Sequence, residues 1–341
     1  MRRRTFLTAG GLTIALPMRT HAQPVEKPKL TIAVGGKNLL YYLPLTIAET
    51  RGYFKDEGLE ITIADFAGGS RALQAVIGGS ADVVSGAFEH TLNMQAKGQY
   101  LRAFVLQGRA PQIVFGINPK TLPKYKSLAD LKGKKVGVTA PGSSTNVMAN
   151  FVLAKAGLKP SDVSIIGVGA GSGAVAAMRS GQIDAMSNLD PVITLLQRSG
   201  DLKIISDTRV VAESEKVFGG PMPAACLYAP QVFIDKNPAT VQALANAIVR
   251  ADKWIQAAGA SDIVKAVPDS YLLGDRAVYI DAFLASKGAL SPDGMIPEAG
   301  AATAMRALQS VDETLRDRKF DLQAVYTNDF VKRANQKYRK A

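Results

Sequence analysis

Six short stretches of the chain gather glycine, serine and threonine where a small molecule could be gripped. They are "GGKNLLYY" at 35–42, "AGGS" at 67–70, "GAFEH" at 86–90, "PGSST" at 141–145, "GAGS" at 169–172 and "SNLDP" at 187–191. Where such a stretch opens a helix, free backbone N–H groups and hydroxyls stand together, and the helix dipole favours negative charge. The chemistry on offer is hydrogen-bonded capture of a carboxylate, sulfonate, phosphate or nitrate. Taken singly, Ser70, Ser144, Thr145 and Ser172 can equally be caps of their own helices.

Other groups near these turns would shape an organic ligand. Tyr41, Tyr42 and Phe88 can wall a cleft, and can equally fill a core. Arg109 can clamp a carboxylate bidentately or lie on the surface, and Arg71 points to solvent from its helix. Glu89 stands beside His90, which suggests proton chemistry; it can equally accept a hydrogen bond from a ligand hydroxyl or amine. Asn38, Asn188 and Asp190 are further polar candidates, with Gly69 and Ser143 in the turns themselves.

Catalysis is short of parts. Beyond residue 22 the chain has one histidine, His90, and one cysteine, Cys226, too few for a His/Cys metal site or an internal disulfide. It contains no G-x-S-x-G elbow and no G-x-x-x-x-G-K-[ST] loop, and "GVGAGSG" does not satisfy G-x-G-x-x-G. No catalytic residue, metal or cofactor is expected.

The elements that must position the turns are written twice. "GSRALQAVIGGSAD" (69–82) and "GSGAVAAMRSGQID" (171–184) align without a gap, Gly69 on Gly171, Ser70 on Ser172, Gly79 on Gly181 and Asp82 on Asp184. Each lies within the same order of strand, helix, strand, helix, strand, which predicts a parallel sheet covered by helices. Two copies are too few for a solenoid. Two α/β lobes that face each other explain why glycine-serine turns recur at equivalent places: the chain reads as a two-jawed clamp. Residues 23–119 are expected to begin the first lobe, 120–221 to form the second, and 222–341, mostly helical by period, to complete the first. A chain of 341 residues is long enough for two cores.

The first 22 residues are expected to be an export signal, with a basic start, an apolar run from Phe6 to Leu16 and small residues before a cut at Ala22. Arg3-Arg4-Thr5-Phe6-Leu7 fits the twin-arginine pattern. No cysteine near the cut offers a lipid anchor, so the expected location is a bacterial periplasm, as an unanchored monomer. The net charge of +12 reads as a solvated basic surface with a bias toward anionic ligands. Nucleic acid is not an expected partner, since no basic-aromatic module is present.

The phrases "YYLPLTIAETRGYFKDEGLEI", "AGGSRALQAVIGGSADV", "SLADLKGKKVGVTAPGSSTN", "FVLAKAGLKPSDVSII", "MRSGQIDAM" and "YTNDFVKRA" follow one another over nearly the whole chain. In this order they resemble the periplasmic solute-binding proteins of ABC importers for nitrate, sulfonates and taurine, and their thiamine-pyrimidine-synthase-like relatives. The resemblance implies a type II two-lobed α/β fold, with two crossover strands and a ligand cleft, that delivers its ligand to an ABC permease. It implies ligand contacts from Asn38 to Tyr42, at Gly69 and Ser70, Phe88 and Glu89, Ser143 to Thr145, and Asn188 to Asp190. The aromatic residues favour a small organic anion, a carboxylate or sulfonate, over inorganic nitrate. The alternatives are a pyrimidine-synthase-like enzyme on the same scaffold and a binding protein that reports to a membrane sensor.

Overall fold

A computed structural model describes residues 24–339, so the expected export signal lies outside the described residues. Among the described residues ten strands form two sheets. They are β1 (Lys29–Gly35), β2 (Glu60–Phe66), β3 (Val83–Ala87), β4 (Leu101–Leu106), β5 (Val114–Ile117), β6 (Lys135–Val138), β7 (Ser164–Gly167), β8 (Ala185–Asn188), β9 (Lys203–Asp207) and β10 (Ala225–Pro230). The sheet orders are β2-β1-β3-β10-β4 and β7-β6-β8-β5-β9.

Parallel sheets were expected, and both are mixed. β10 runs antiparallel to β3 and β4, and β5 runs antiparallel to β8 and β9. The cause is the chain path. β5 enters the second sheet straight from β4 of the first, and β10 returns from β9 of the second, so each arrives from the cleft side. Residues 107–113 and 208–224 are the two crossings, and they pair with each other: Thr208 accepts from the Ile113 N–H through its hydroxyl at 3.0 Å and donates its own N–H back to the Ile113 carbonyl at 3.1 Å.

Among the described residues fourteen α-helices cover the sheets: α1 (Leu43–Thr50), α2 (Tyr53–Asp56), α3 (Gly69–Ile77), α4 (Glu89–Gln95), α5 (Ser144–Ala154), α6 (Ser172–Arg179), α7 (Val192–Arg198), α8 (Val211–Phe218), α9 (Gln231–Lys236), α10 (Pro238–Ala257), α11 (Ala260–Ala266), α12 (Arg276–Ser286), α13 (Glu298–Val311) and α14 (Asp329–Lys337). α10 and α14 pack on the first lobe beside β4. α12 and α13 also reach the second lobe, α12 against α7 and α13 against α5 and α8. Asp281 of α12 pairs with Arg198 of α7 at 2.9 Å. Among the described residues no helix is long and apolar enough to cross a membrane.

The repeated phrase does the same structural work in each lobe. α3 buries Ala72, Ala75 and Val76, and α6 buries Ala174, Ala177 and Met178, at matching positions. Small residues let each helix lie close on its sheet, while a buried valine or methionine contributes on the order of 1.5–3 kcal/mol. Gly79 (φ 77°) and Gly181 (φ 72°) take the left-handed conformation that ends each helix. Three residues on, the Asp82 carboxylate accepts the Thr31 N–H at 2.9 Å, and the Asp184 carboxylate accepts the Lys135 N–H at 3.0 Å. Each aspartate thus pins the first strand of its lobe.

Candidate functional site

The carboxyl ends of the strands deliver the glycine-serine turns to the seam between the lobes, and the turns meet in a crossed pattern. The turn after β1 faces the turn after β7: the Asn38 amide donates to the Ala170 carbonyl at 3.0 Å. The turn after β2 faces the turn after β6: the Ser70 hydroxyl donates to the Pro141 carbonyl at 2.9 Å, and the Ser70 N–H reaches the Ser143 hydroxyl at 3.2 Å. The first-strand turn of each lobe therefore meets the second-strand turn of the other. A third link runs from the Leu40 N–H to the Asp190 carbonyl at 3.0 Å. These contacts draw the two lobes together.

Behind the seam, between the two crossings, lies a narrow slot of about 20 Å³, room for about one water molecule. Tyr41 and Glu89 of the first lobe, Ser144, Met148 and Phe151 of the second, and Pro111 and Met222 of the crossings line it. A wider groove of about 1230 Å³ opens on the outer face, where Ser70 and His90 meet Asn146 and Lys97. Both lobes and both crossings contribute walls to the slot.

Glu89 opens α4 and is buried at 4% exposure. Burial pushes its carboxyl up to about 7, against a smaller opposing pull from its own backbone N–H. His90 sits next to it with Nδ1 2.8 Å from the Tyr228 hydroxyl. Burial, with repulsion from Lys97, pushes its imidazole down to about 4, so the ring is neutral near pH 7. Its Nε2 has no partner among the described residues. Tyr41 and Tyr42 stack edge to face at 4.9 Å, with both hydroxyls pushed up by burial first and by Glu89 second.

Several expected ligand contacts are occupied elsewhere. Arg109 is exposed and donates through Nε to the Gly288 carbonyl at 2.8 Å, so it faces away from the slot. In this structure its guanidinium does not line the slot, and its neighbours Ala110 and Pro111 turn inward. Phe88 is fully buried in the first-lobe core, near Tyr326. Thr145 is tied inside its lobe to the Thr139 N–H and hydroxyl, and Ser172 is exposed at the start of α6. Asn188 bridges to the Gly169 carbonyl at 3.1 Å. The Asp190 carboxylate caps α7 through the Thr194 N–H at 2.9 Å and pairs with Arg209 at 3.3 Å. Burial raises that carboxyl, with the attraction of Arg209 only partly offsetting it.

The structure brings together Asn38, Tyr41, Tyr42, Gly69, Ser70, Glu89, Ser143 and Ser144 along the seam and slot. It adds residues that the sequence did not point to. Gln112 has φ 59° in the first crossing, is buried, and has no hydrogen-bond partner for either end of its amide among the described residues. A left-handed glutamine is strained, and nothing in its sequence neighbourhood announces it. Arg209 holds Asp207 at 2.6 Å as well as Asp190; the nearby Asp207 was the one visible signal of that network.

A family profile described as NMT1/THI5 like matches residues 40–258. Bacillus subtilis (strain 168) YtlA, named as a candidate binding protein, is 23% identical over 279 residues, 78% of each chain. The 4-amino-5-hydroxymethyl-2-methylpyrimidine phosphate synthase of Schizosaccharomyces pombe is 28% identical over 156 residues, 46% of this chain and 43% of its own. A solved structure from Bordetella bronchiseptica RB50 is 65% identical, with TM-score 0.91, over 93% of this chain and 100% of that one. The alkanesulfonate-binding protein SsuA of Xanthomonas axonopodis pv. citri, bound to MOPS, is 20% identical, with TM-score 0.65, over 90% and 97%. The periplasmic nitrate-binding protein NrtA of Synechocystis PCC 6803 is 16% identical, with TM-score 0.69, over 93% and 90%. At these low identities the last two likenesses speak for the fold.

Proposed function

The chain belongs to the NMT1/THI5-like family, and on that premise we propose that it is the solute-capturing subunit of an ABC importer. It works in the periplasm after export. It closes its two lobes on a small organic anion, a carboxylate or sulfonate, and hands it to an inner-membrane permease. The observation that carries this reading is the crossed docking of the four turns over a slot built from both lobes and both crossings. A cleft that encloses its ligand between two hinged bodies suits capture and release. The apolar walls of Met148, Phe151 and Met222 suit an organic body better than a bare inorganic ion.

The synthase relatives supply the competing reading, an enzyme on the same scaffold. The residues available favour binding. Cys226 is buried with its thiol pushed up by that burial, and His90 is neutral and held by Tyr228.

The test is thermal unfolding of the exported chain, refolded to strip carried-over ligand, against benzoate, alkylsulfonates, taurine, short dicarboxylates and nitrate. A ligand at a hundred times its dissociation constant adds about 2.7 kcal/mol, a rise of several degrees. One organic class is expected to raise the transition and to be recovered unchanged. Chemical conversion of the bound compound would favour the enzyme, and a panel with no rise would sink the capture reading.

A further inference from the structure

The slot is lined by one acid and by no lysine or arginine. Arg109 is committed to the Gly288 carbonyl on the surface and Arg209 to Asp207 and Asp190. An anion in this slot would therefore face the Glu89 carboxylate with no cation between them. Two like charges in a water-poor site cannot both persist, and such a pair holds one shared proton.

We propose that Glu89 binds the solute in its protonated form, donating its O–H to a carboxylate or sulfonate oxygen while the slot, which holds only about 20 Å³ as it stands, widens to lay the ligand's apolar body against Tyr41, Pro111, Met148 and Met222. The proposal rests on the capture reading above and names the group that selects its ligand. The proton comes from solvent: when free Glu89 is ionised, each anion captured takes one proton up from water or buffer.

The phenols, the thiol and the imidazole set around Glu89 are uncharged near pH 7. His90 follows it on α4, Tyr41 and Tyr42 come from the segment before α1, and Cys226 and Tyr228 come from β10. Burial raises the three phenols and the thiol and lowers the imidazole to about 4. The slot residues of α5 and α13 bring Ser144 and apolar side chains. Glu89, raised to about 7, is the one member of this group that changes charge between pH 6 and 8. Anion affinity is then level below about pH 7 and falls about tenfold per pH unit above it.

The experiment is isothermal titration calorimetry of the exported chain with benzoate, phenylmethanesulfonate and benzylamine, which share one body and differ in head group. Each is run at pH 6 and pH 8 in two buffers of different ionisation heat. The expected result is anion binding with close to one proton taken up at pH 8 and few at pH 6, and weaker affinity at pH 8. Glu89→Gln, whose amide can still donate, is expected to bind the anions equally at both pH values with no proton uptake. The wild-type proton count stands even if that variant folds poorly. Anion binding without proton uptake overturns the proposal and leaves the capture reading intact. Benzylamine binding in preference to the anions overturns it too, because Glu89 would then act as an ionised acceptor. No binding by any of the three, together with a flat thermal panel, sinks both.

Discussion

The Ser70 hydroxyl of the first lobe lies 3.3 Å from the Ser143 hydroxyl of the second. Two residues earlier, a Cβ on Gly68 would stand 2.7 Å from the Cβ of Ala140. Gly68 is extended (φ −178°), so a side chain there is unstrained within its own lobe. Gly68→Val is therefore expected to hold the lobes apart without unfolding either. Small-angle scattering should show a larger radius of gyration in the presence of ligand than for the wild type, and ligand affinity should fall at least about tenfold, the equivalent of about 1.4 kcal/mol. An unchanged radius and affinity would mean that closure does not need this contact.

Glu89 makes stability depend on pH with a defined sign. Its carboxyl is raised in the folded chain to about 7 from its ordinary 4.5, so between those values the folded state holds a proton that the unfolded state has lost. Its contribution is fully present below the unfolded value and drains away as pH rises toward 7, by roughly 3 kcal/mol in all. Glu89→Gln is expected to be more stable than wild type at pH 8 and no more stable at pH 4, read by urea unfolding at both.

Arg209 keeps a buried carboxylate company. Asp190 is 2% exposed and pairs with it at 3.3 Å. Arg209→Met should leave that charge uncompensated and cost about 3–5 kcal/mol. Adding Asp190→Asn to the same chain should recover much of the loss, which a double-mutant cycle in denaturant would measure.

Asp82 and Asp184 give a matched pair of tests. Each accepts the N–H of a first-strand residue, Thr31 or Lys135. Replacement by alanine is expected to cost about 1–3 kcal/mol in either lobe. The half-exposed Lys27 partner of Asp82 should add little to the first. Hydrogen exchange should show β1 loosened by Asp82→Ala and β6 by Asp184→Ala.

Arg109→Ala is expected to leave ligand affinity within about twofold of wild type, since its guanidinium bonds a carbonyl on the surface. A loss of tenfold or more by calorimetry would return Arg109 to the site.

The two-lobed α/β fold was legible in the chain because its signals are local. Alternation, helix period and left-handed glycines act over a few residues, and the repeat of 69–82 at 171–184 carries the last two. Asp82 and Asp184 could be matched by eye, although their shared task of pinning β1 and β6 shows only in three dimensions. The mixed sheets were not legible: strand direction depends on which lobe the chain has just left, and the sequences of β5 and β10 look like any other strand. The site divided the same way. Glycine and serine mark turns wherever they stand, so Ser70 and Ser143 were named, while their meeting across the seam depends on how two separately folded sheets are joined. Arg109 and Phe88 carry side chains suited to a ligand, yet one faces water and the other the core. Gln112 gave no sign at all. Residue type sets what a side chain can do, and only the packing of distant segments decides what it faces, which is how Glu89 came to stand in an apolar slot with no cation beside it.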